Sequence, residues 1–274
     1  LLSSTFRGRG IAFSEVRVYQ PGDDVRTIDW RVPARTQVAH TKVFQEEKER
    51  PVLILVDQSA SMYFGSQVTF KSVLAARTAA IIAWAALERG DRVGGLVFSE
   101  LGHREIRPRR NKHAVLRLLN EMHDFNHALK KESTIESATY SDNYFTEAIS
   151  NVRRVTKHGS VIFIISDFTN FSEESRIHLQ PLARHSDVVS IHISDPLEQH
   201  LPTPDLYSIT NGTERTRINT ASGKTRDAYE RGFQQQLAAI QEEFMRVKAP
   251  LLMLQTHQPI LAGLNRQASF AAKV

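Results

Sequence analysis

The sequence predicts an α/β fold: a mostly parallel sheet with helices on both faces. Three observations carry this. Short apolar runs recur at Val52–Val56, Val93–Phe98, Val161–Ile165, Val188–Ile193 and Leu251–Leu254, and most are β-branched, as strands buried on both faces are. Stretches of helical length lie between them, and alternation of strand and helix is the pattern of parallel pairing. Gly90 and Gly159 close two of those stretches, where a helix end favours a residue that accepts the left-handed conformation.

Taken in order, the first fifty residues are irregular and hold the turn signal Pro21-Gly22-Asp23-Asp24. Residues 1–50 therefore read as a separate N-terminal extension, and 51–274 as the domain proper. Its first strand leads to a helix over Lys71–Glu88, and the second to helices over Lys112–Met122 and Asn143–Lys157. The stretch from His123 to Asp142 reads as a long connection running toward the functional edge of the sheet. A helix over Glu173–Arg184 follows the third strand, and Leu206–Thr220, with Asn211-Gly212 inside it, reads as a hairpin. The last helix, Arg226–Lys248, carries Tyr229, Phe233, Leu237, Ile240, Phe244 and Val247 at three- and four-residue steps, which predicts a core-facing stripe.

Composition bounds the class. Of 274 residues, 41% are hydrophobic and 24% charged, the balance of an ordinary globular chain with a sizeable core. Cysteine is absent, which excludes disulfides and thiolate metal sites. No apolar run reaches bilayer-spanning length, and Leu1–Arg7 lacks the apolar stretch of a signal peptide, so cytoplasmic residence is the expectation. A formal charge of +5 permits an acidic partner or nucleic acid without demanding either.

The chemistry concentrates after the first strand, in Asp57-Gln58-Ser59-Ala60-Ser61. A carboxylate followed by two hydroxyls at alternate positions can aim three hard oxygens at one point above a strand end, a donor set suited to Mg²⁺. The strand Val161–Ile165 runs into Ser166-Asp167, which in this topology brings a second carboxylate to the neighbouring strand end. Two such carboxylates repel unless a cation lies between them. The alternative is local: Asp57 and Ser61 capping the next helix, Asp167 accepting from loop amides.

Asp57-x-Ser59-x-Ser61 after an apolar strand, with Asp167 ending a later one, resembles the metal-ion-dependent adhesion site of von Willebrand factor A domains. The resemblance implies a further threonine ligand five residues before an Ala-Leu pair; counting back from Ala148-Ile149 reaches Asn143, whose amide oxygen presents different geometry, with Thr146 one turn on as the other candidate. It also implies a six-stranded, Rossmann-like sheet and a divalent cation, Mg²⁺ first and Mn²⁺ or Ca²⁺ next, at Asp57, Ser59, Ser61, Asn143 and Asp167.

A second resemblance is more specific. Tyr19-Gln20-Pro21-Gly22-Asp23-Asp24-Val25-Arg26-Thr27-Ile28-Asp29-Trp30, then Ala34-Arg35, Gln45-Glu46-Glu47, Gly90-Asp91-Arg92-Val93-Gly94 and Thr256-His257-Gln258-Pro259 are similar to the signature of the bacterial domain-of-unknown-function 58 family. That resemblance implies a non-enzymatic adaptor accessory to a MoxR-type AAA+ ATPase, with a partner's acidic side chain completing the cation's coordination.

Other readings are weaker. Arg104, Arg107, Arg109, Arg110, Lys112 and His113 form a basic run without interleaved aromatics for base stacking, so a solvated loop is preferred and RNA binding through residues 104–113 is the alternative. His123 and His127 lie at i, i+4 with no third ligand. A metal-assisted phosphoester hydrolase would use Asp57 as nucleophile, but Ser59 stands where a haloacid dehalogenase-type site needs its second carboxylate.

Overall fold

The structure, a computed structural model, describes residues 12–20, 28, 40–45, 50–128, 143–210 and 215–264. Pro21–Asp24, Trp30, Ala34-Arg35, Glu46-Glu47, Lys130–Thr134 and Asn211-Gly212 lie outside the described residues. The described chain falls into two compact units, one up to Gln45 and one from Arg50 onward. In the first, β1 (Ala12–Val18) pairs antiparallel with β2 (His40–Gln45), and Ile28 bridges to Thr41.

The second unit is built on one six-stranded sheet, as the sequence predicts. Its strands are β3 (Pro51–Asp57), β4 (Arg92–Ser99), β5 (Gly102–Arg109), β6 (Val161–Ser166), β7 (Asp187–Ser194) and, after the hairpin of β8 (Leu206–Thr210) and β9 (Arg215–Asn219), β10 (Leu251–Gln255). The order across the sheet is β10-β7-β6-β3-β4-β5, parallel throughout except for the β4–β5 pair. The helices are α1 (Lys71–Glu88), α2 (Lys112–Ala128), α3 (Tyr144–Val155), α4 (Glu173–His185), α5 (Pro196–Gln199) and α6 (Gly223–Arg246).

The central strand sorts its side chains by parity. Val52, Ile54 and Val56 join a core with α1 (Leu74, Ala75, Ala79, Ala83) and α2 (Val115, Leu118, Met122). Leu53 and Leu55 join the opposite core with α3 (Phe145, Ile149, Val152), α4 (Leu179, Leu182) and α6 (Ile240, Phe244). Helices thus cover both faces. Strands follow β3 on both of its sides, β4 on one and β6 on the other, so the chain reverses direction across the sheet there; the crevice at their carboxyl ends is where such folds place ligands.

Three expectations are corrected. The basic run does not form a solvated loop: residues 102–109 are the edge strand β5 and Lys112 opens α2. Charged side chains on an edge strand deter pairing with another chain, which explains why a strand can carry a sequence so poor in apolar residues. Arg104 and Glu105 project to opposite faces by strand parity, and a bulge between Ile106 and Arg109 breaks the alternation, so the charges do not gather into one stripe. The connection after α2 also starts later than expected, because the helix continues through His127.

The third correction concerns α6. Ile240, Phe244 and Val247 are buried, but Tyr229 is 37% exposed and Phe233 and Leu237 are half-buried. Only the second half of the stripe packs into the core.

Candidate metal centre

Asp57 ends β3 with its side chain 1% exposed. Its Oδ1 accepts from the Ser59 amide at 2.9 Å, closing an Asx-type turn, and its Oδ2 accepts from Ser166 Oγ at 2.6 Å. That turn sends the chain into a short 3₁₀ segment, Ala60–Met62, which no side chain caps; Asp57 therefore caps no helix. Ser59 Oγ and Ser61 Oγ lie 3.1 Å apart, and Ser61 is close enough to Asp167 to help lower its carboxyl. Asp57, Ser59, Ser61 and Asp167 are thereby brought together at adjacent strand ends.

The β6 end is fixed by one hydroxyl. Ser166 Oγ donates to Asp57 and accepts from the Phe168 amide at 2.9 Å. Phe168 itself is buried at φ 55°, a left-handed conformation that is costly for a bulky residue and recurs at functional sites. It turns the backbone directly after Asp167, whose Oδ1 accepts from the Thr169 amide at 3.0 Å, as the local reading anticipates.

The electrostatics of the two carboxylates differ. Burial first, and the charge of Asp167 second, push the Asp57 carboxyl from 3.8 up to about 7 against the pull of its Ser166 and Ser59 bonds. Burial would also raise Asp167, but the Lys71 ammonium outweighs it and holds Asp167 below its usual value. Lys71 Nζ lies 2.8 Å from Asp167 Oδ2 and 2.5 Å from Glu198 Oε1. These two carboxylates overcome the burial of Lys71 and keep its ammonium above the ordinary value. Among the described residues, no such cation is paired with Asp57.

Three further oxygens at the site escaped sequence reasoning. Tyr144, first residue of α3, places its hydroxyl beside Ser59, and burial and the Asp57 charge push that hydroxyl upward; Asn170 Nδ2 donates to it at 2.5 Å. Glu100, just past β4, accepts from the Ala60 amide at 2.9 Å, and burial holds it above its usual value. Glu198 is likewise held up by burial despite Lys71. No short motif marks these residues, although Tyr144 adjoins Asn143 and Glu100 directly follows a buried strand.

The two substitutes for the missing threonine separate. Asn143 is exposed at the N-terminal end of α3, and its side chain does not cap that helix. Thr146 is turned elsewhere: its hydroxyl bonds Ser175 at 2.7 Å and Ser172 at 3.3 Å, at the start of α4.

Two carboxylates and two hydroxyls make a hard, all-oxygen donor set. The residues therefore fit a divalent cation.

An open, doubly covered α/β sheet with an Asp-x-Ser-x-Ser turn ending its central strand, and a second Asp at the neighbouring strand end, is the arrangement implied by the von Willebrand factor A resemblance. Residues 15–239 match the family described as "Protein of unknown function DUF58", and the chain belongs to that family. It is 28% identical over 263 residues to "Uncharacterized protein Rv1480" of Mycobacterium tuberculosis, covering 94% of this chain and 79% of that one. Among solved structures it is similar to BatB from Bacteroides thetaiotaomicron, with 14% identity, a TM-score of 0.43 and coverage of 82% of this chain and 100% of that one. The SpRpn10 VWA domain aligns at 10% identity and a TM-score of 0.38, covering 80% of this chain and 95% of that one.

Proposed function

We propose that this chain is a non-enzymatic adaptor that grips a protein partner through a divalent cation, Mg²⁺ first, held by Asp57, Ser59, Ser61 and Asp167, with Asn143 as the candidate fifth ligand. The observation that supports this is the gathering of Asp57, Ser59, Ser61 and Asp167, two carboxylates and two hydroxyls, at the carboxyl edge of the sheet. When bound, the cation offers a coordination position to an acidic side chain of the partner.

The chain's own residues do the rest. Ser166 and the Ser59 amide orient Asp57; the Phe168 turn sets Asp167; Lys71 holds one oxygen of Asp167 in place. Phe64, Val68 and Phe70, between 39% and 71% exposed, flank the motif on the loop before α1, and exposed apolar residues around a polar centre favour a protein partner over a small molecule. No helix among the described residues is long and apolar enough to cross a membrane.

The partner chemistry is an acidic side chain, and the partner class proposed from the family resemblance is a MoxR-type AAA+ ATPase. The test is capture of a purified MoxR-type ATPase on immobilised protein in Mg²⁺ and in chelator. Capture is expected in Mg²⁺ alone and lost in Asp57→Ala. Equal capture in chelator overturns the metal-dependent reading, and phosphoester turnover by the purified protein in Mg²⁺ overturns the non-enzymatic one.

A further inference from the structure

A cavity of about 380 Å³ opens beside the proposed cation site, between the carboxyl end of β7 and the first half of α6. Its polar side is formed by Asp167, Glu198 and His192, and its apolar side by Tyr229, Phe233 and Leu237. These three are the part of the α6 stripe that does not enter the core.

Each side lacks a partner of a particular kind. His192 lines the cavity and is 5% exposed, and its Nδ1 is buried without a hydrogen-bond partner among the described residues. Its ring stacks on Phe168 with centroids 6.2 Å apart, and burial holds the imidazole below its ordinary value. Asp167 and Glu198 share a single ammonium, Lys71, so two negative charges meet one positive charge. Facing them, the rings of Tyr229 and Phe233 supply surfaces on which a cation or an aliphatic stem can lie.

Gly232 adds a separate observation. It sits in the middle of α6 and lines the cavity, and a Cβ built there meets nothing within 4 Å. Glycine weakens a helix interior, yet neither packing nor backbone conformation requires it here. What it does is leave the space open.

We infer that this cavity binds a basic side chain, arginine or lysine, presented by a protein partner. The aliphatic stem runs along Tyr229, Phe233 and Leu237, and the charged head meets Asp167 and Glu198 beside the His192 ring. An acidic side chain would face two carboxylates, and a purely apolar one would leave the excess charge uncompensated. The inference does not rest on the metal reading, although the two sites share Asp167. A partner that satisfies both would carry an acidic and a basic residue close together.

The test uses the full chain in chelator, with N-acetyl-arginine methylamide as the probe and the ring nitrogens of His192 followed by NMR. Saturable shifts of the His192 signals are expected, with at least about tenfold weaker binding in Gly232→Leu, which fills the cavity, and in Glu198→Gln, the scale of one lost charge-assisted contact. Gly232→Leu adds a good helix former at an uncrowded position, so its fold is retained even if Glu198→Gln loosens the α5 turn. Binding of N-acetyl-norleucine methylamide with equal strength overturns the assignment of a cation. So does preference for the N-acetyl-glutamate probe, or the absence of saturable shifts with the arginine probe. Because the arginine titration needs no metal, its failure in chelator is distinct from failure of Mg²⁺-dependent capture.

Discussion

Lys71 Nζ sits 2.8 Å from Asp167 Oδ2 with the two side chains only 2% and 5% exposed. A buried pair of this kind contributes little net stability against an apolar replacement of both partners, but removing one strands the other. Lys71→Met leaves Asp167 charged and uncompensated, so urea unfolding in chelator is expected to show a loss of about 3–5 kcal/mol. Mg²⁺ should recover part of that loss, since a divalent cation at the proposed site supplies charge to the same carboxylate. A Lys71→Met variant as stable as the parent in chelator rejects this account of the pair.

Asp57 gives a pH prediction of definite sign. Its carboxyl is raised from 3.8 to about 7 in the fold, so the folded state binds more protons than the unfolded chain between those values. Stability then falls as pH rises through that window, and the full cost is present above about pH 7. Asp167 and Asp195 are held below their ordinary values and act with the opposite sign, losing stability only as pH falls below about 4. His192, which burial holds down to about 4, acts with the opposite sign up to its ordinary 6.5, so without metal the decline in melting temperature is expected from about pH 6.5 to pH 7.5. Asp57→Asn should flatten that decline, and Mg²⁺ should raise the melting temperature more at pH 7.5 than at pH 5. An Asp57→Asn variant with the parental slope refutes the assignment.

Parity and alternation carry most of the fold in the sequence, because β3 and its neighbours are apolar on both faces and the helices between them have clear stripes. Residues 102–109 were not legible as a strand, since an edge strand bonds on one side only and is defined by its neighbour β4 rather than by its own apolar residues. At the site, Asp57, Ser59, Ser61 and Asp167 were legible because local spacing and strand ends place them. Lys71 was not: it is a buried charge on a helix, and only tertiary contacts with Asp167 and Glu198 explain it. Tyr229 was misjudged for the related reason that a periodic stripe does not reveal whether a core or a cavity lies opposite.

Asp195 ties three loops together. Its carboxylate accepts from the Ser66 amide at 2.9 Å, the Leu197 amide at 2.9 Å, Ser66 Oγ at 2.5 Å and Thr256 Oγ1 at 2.5 Å. These bonds outweigh its burial and hold it below the usual carboxylate range. Thr256→Val keeps the side-chain shape and removes one donor to a buried charge, so a loss of about 1.5–3 kcal/mol is expected in chemical denaturation. The same loop carries Ser66 near the proposed cation site, so hydrogen exchange there should quicken. Unchanged stability and unchanged exchange at Ser66 together contradict the role given to Asp195.

Two glycines should respond to alanine with opposite signs. Gly95 is buried in β4 opposite Ile54, and a Cβ there would collide with the Ile54 carbonyl oxygen, which is backbone and cannot move without disturbing the β3–β4 ladder. Overpacking of that kind costs about 1–3 kcal/mol and more where the backbone must give, so Gly95→Ala should lower the unfolding midpoint sharply. Gly232 lies mid-helix with open space around it, and Gly232→Ala should raise stability by about 0.5–1 kcal/mol through helix propensity. Both variants are read in the same urea titration at fixed pH. Destabilisation by Gly232→Ala would show that a side chain is not accommodated on this face of α6, and the open cavity inferred beside His192 would lose its wall.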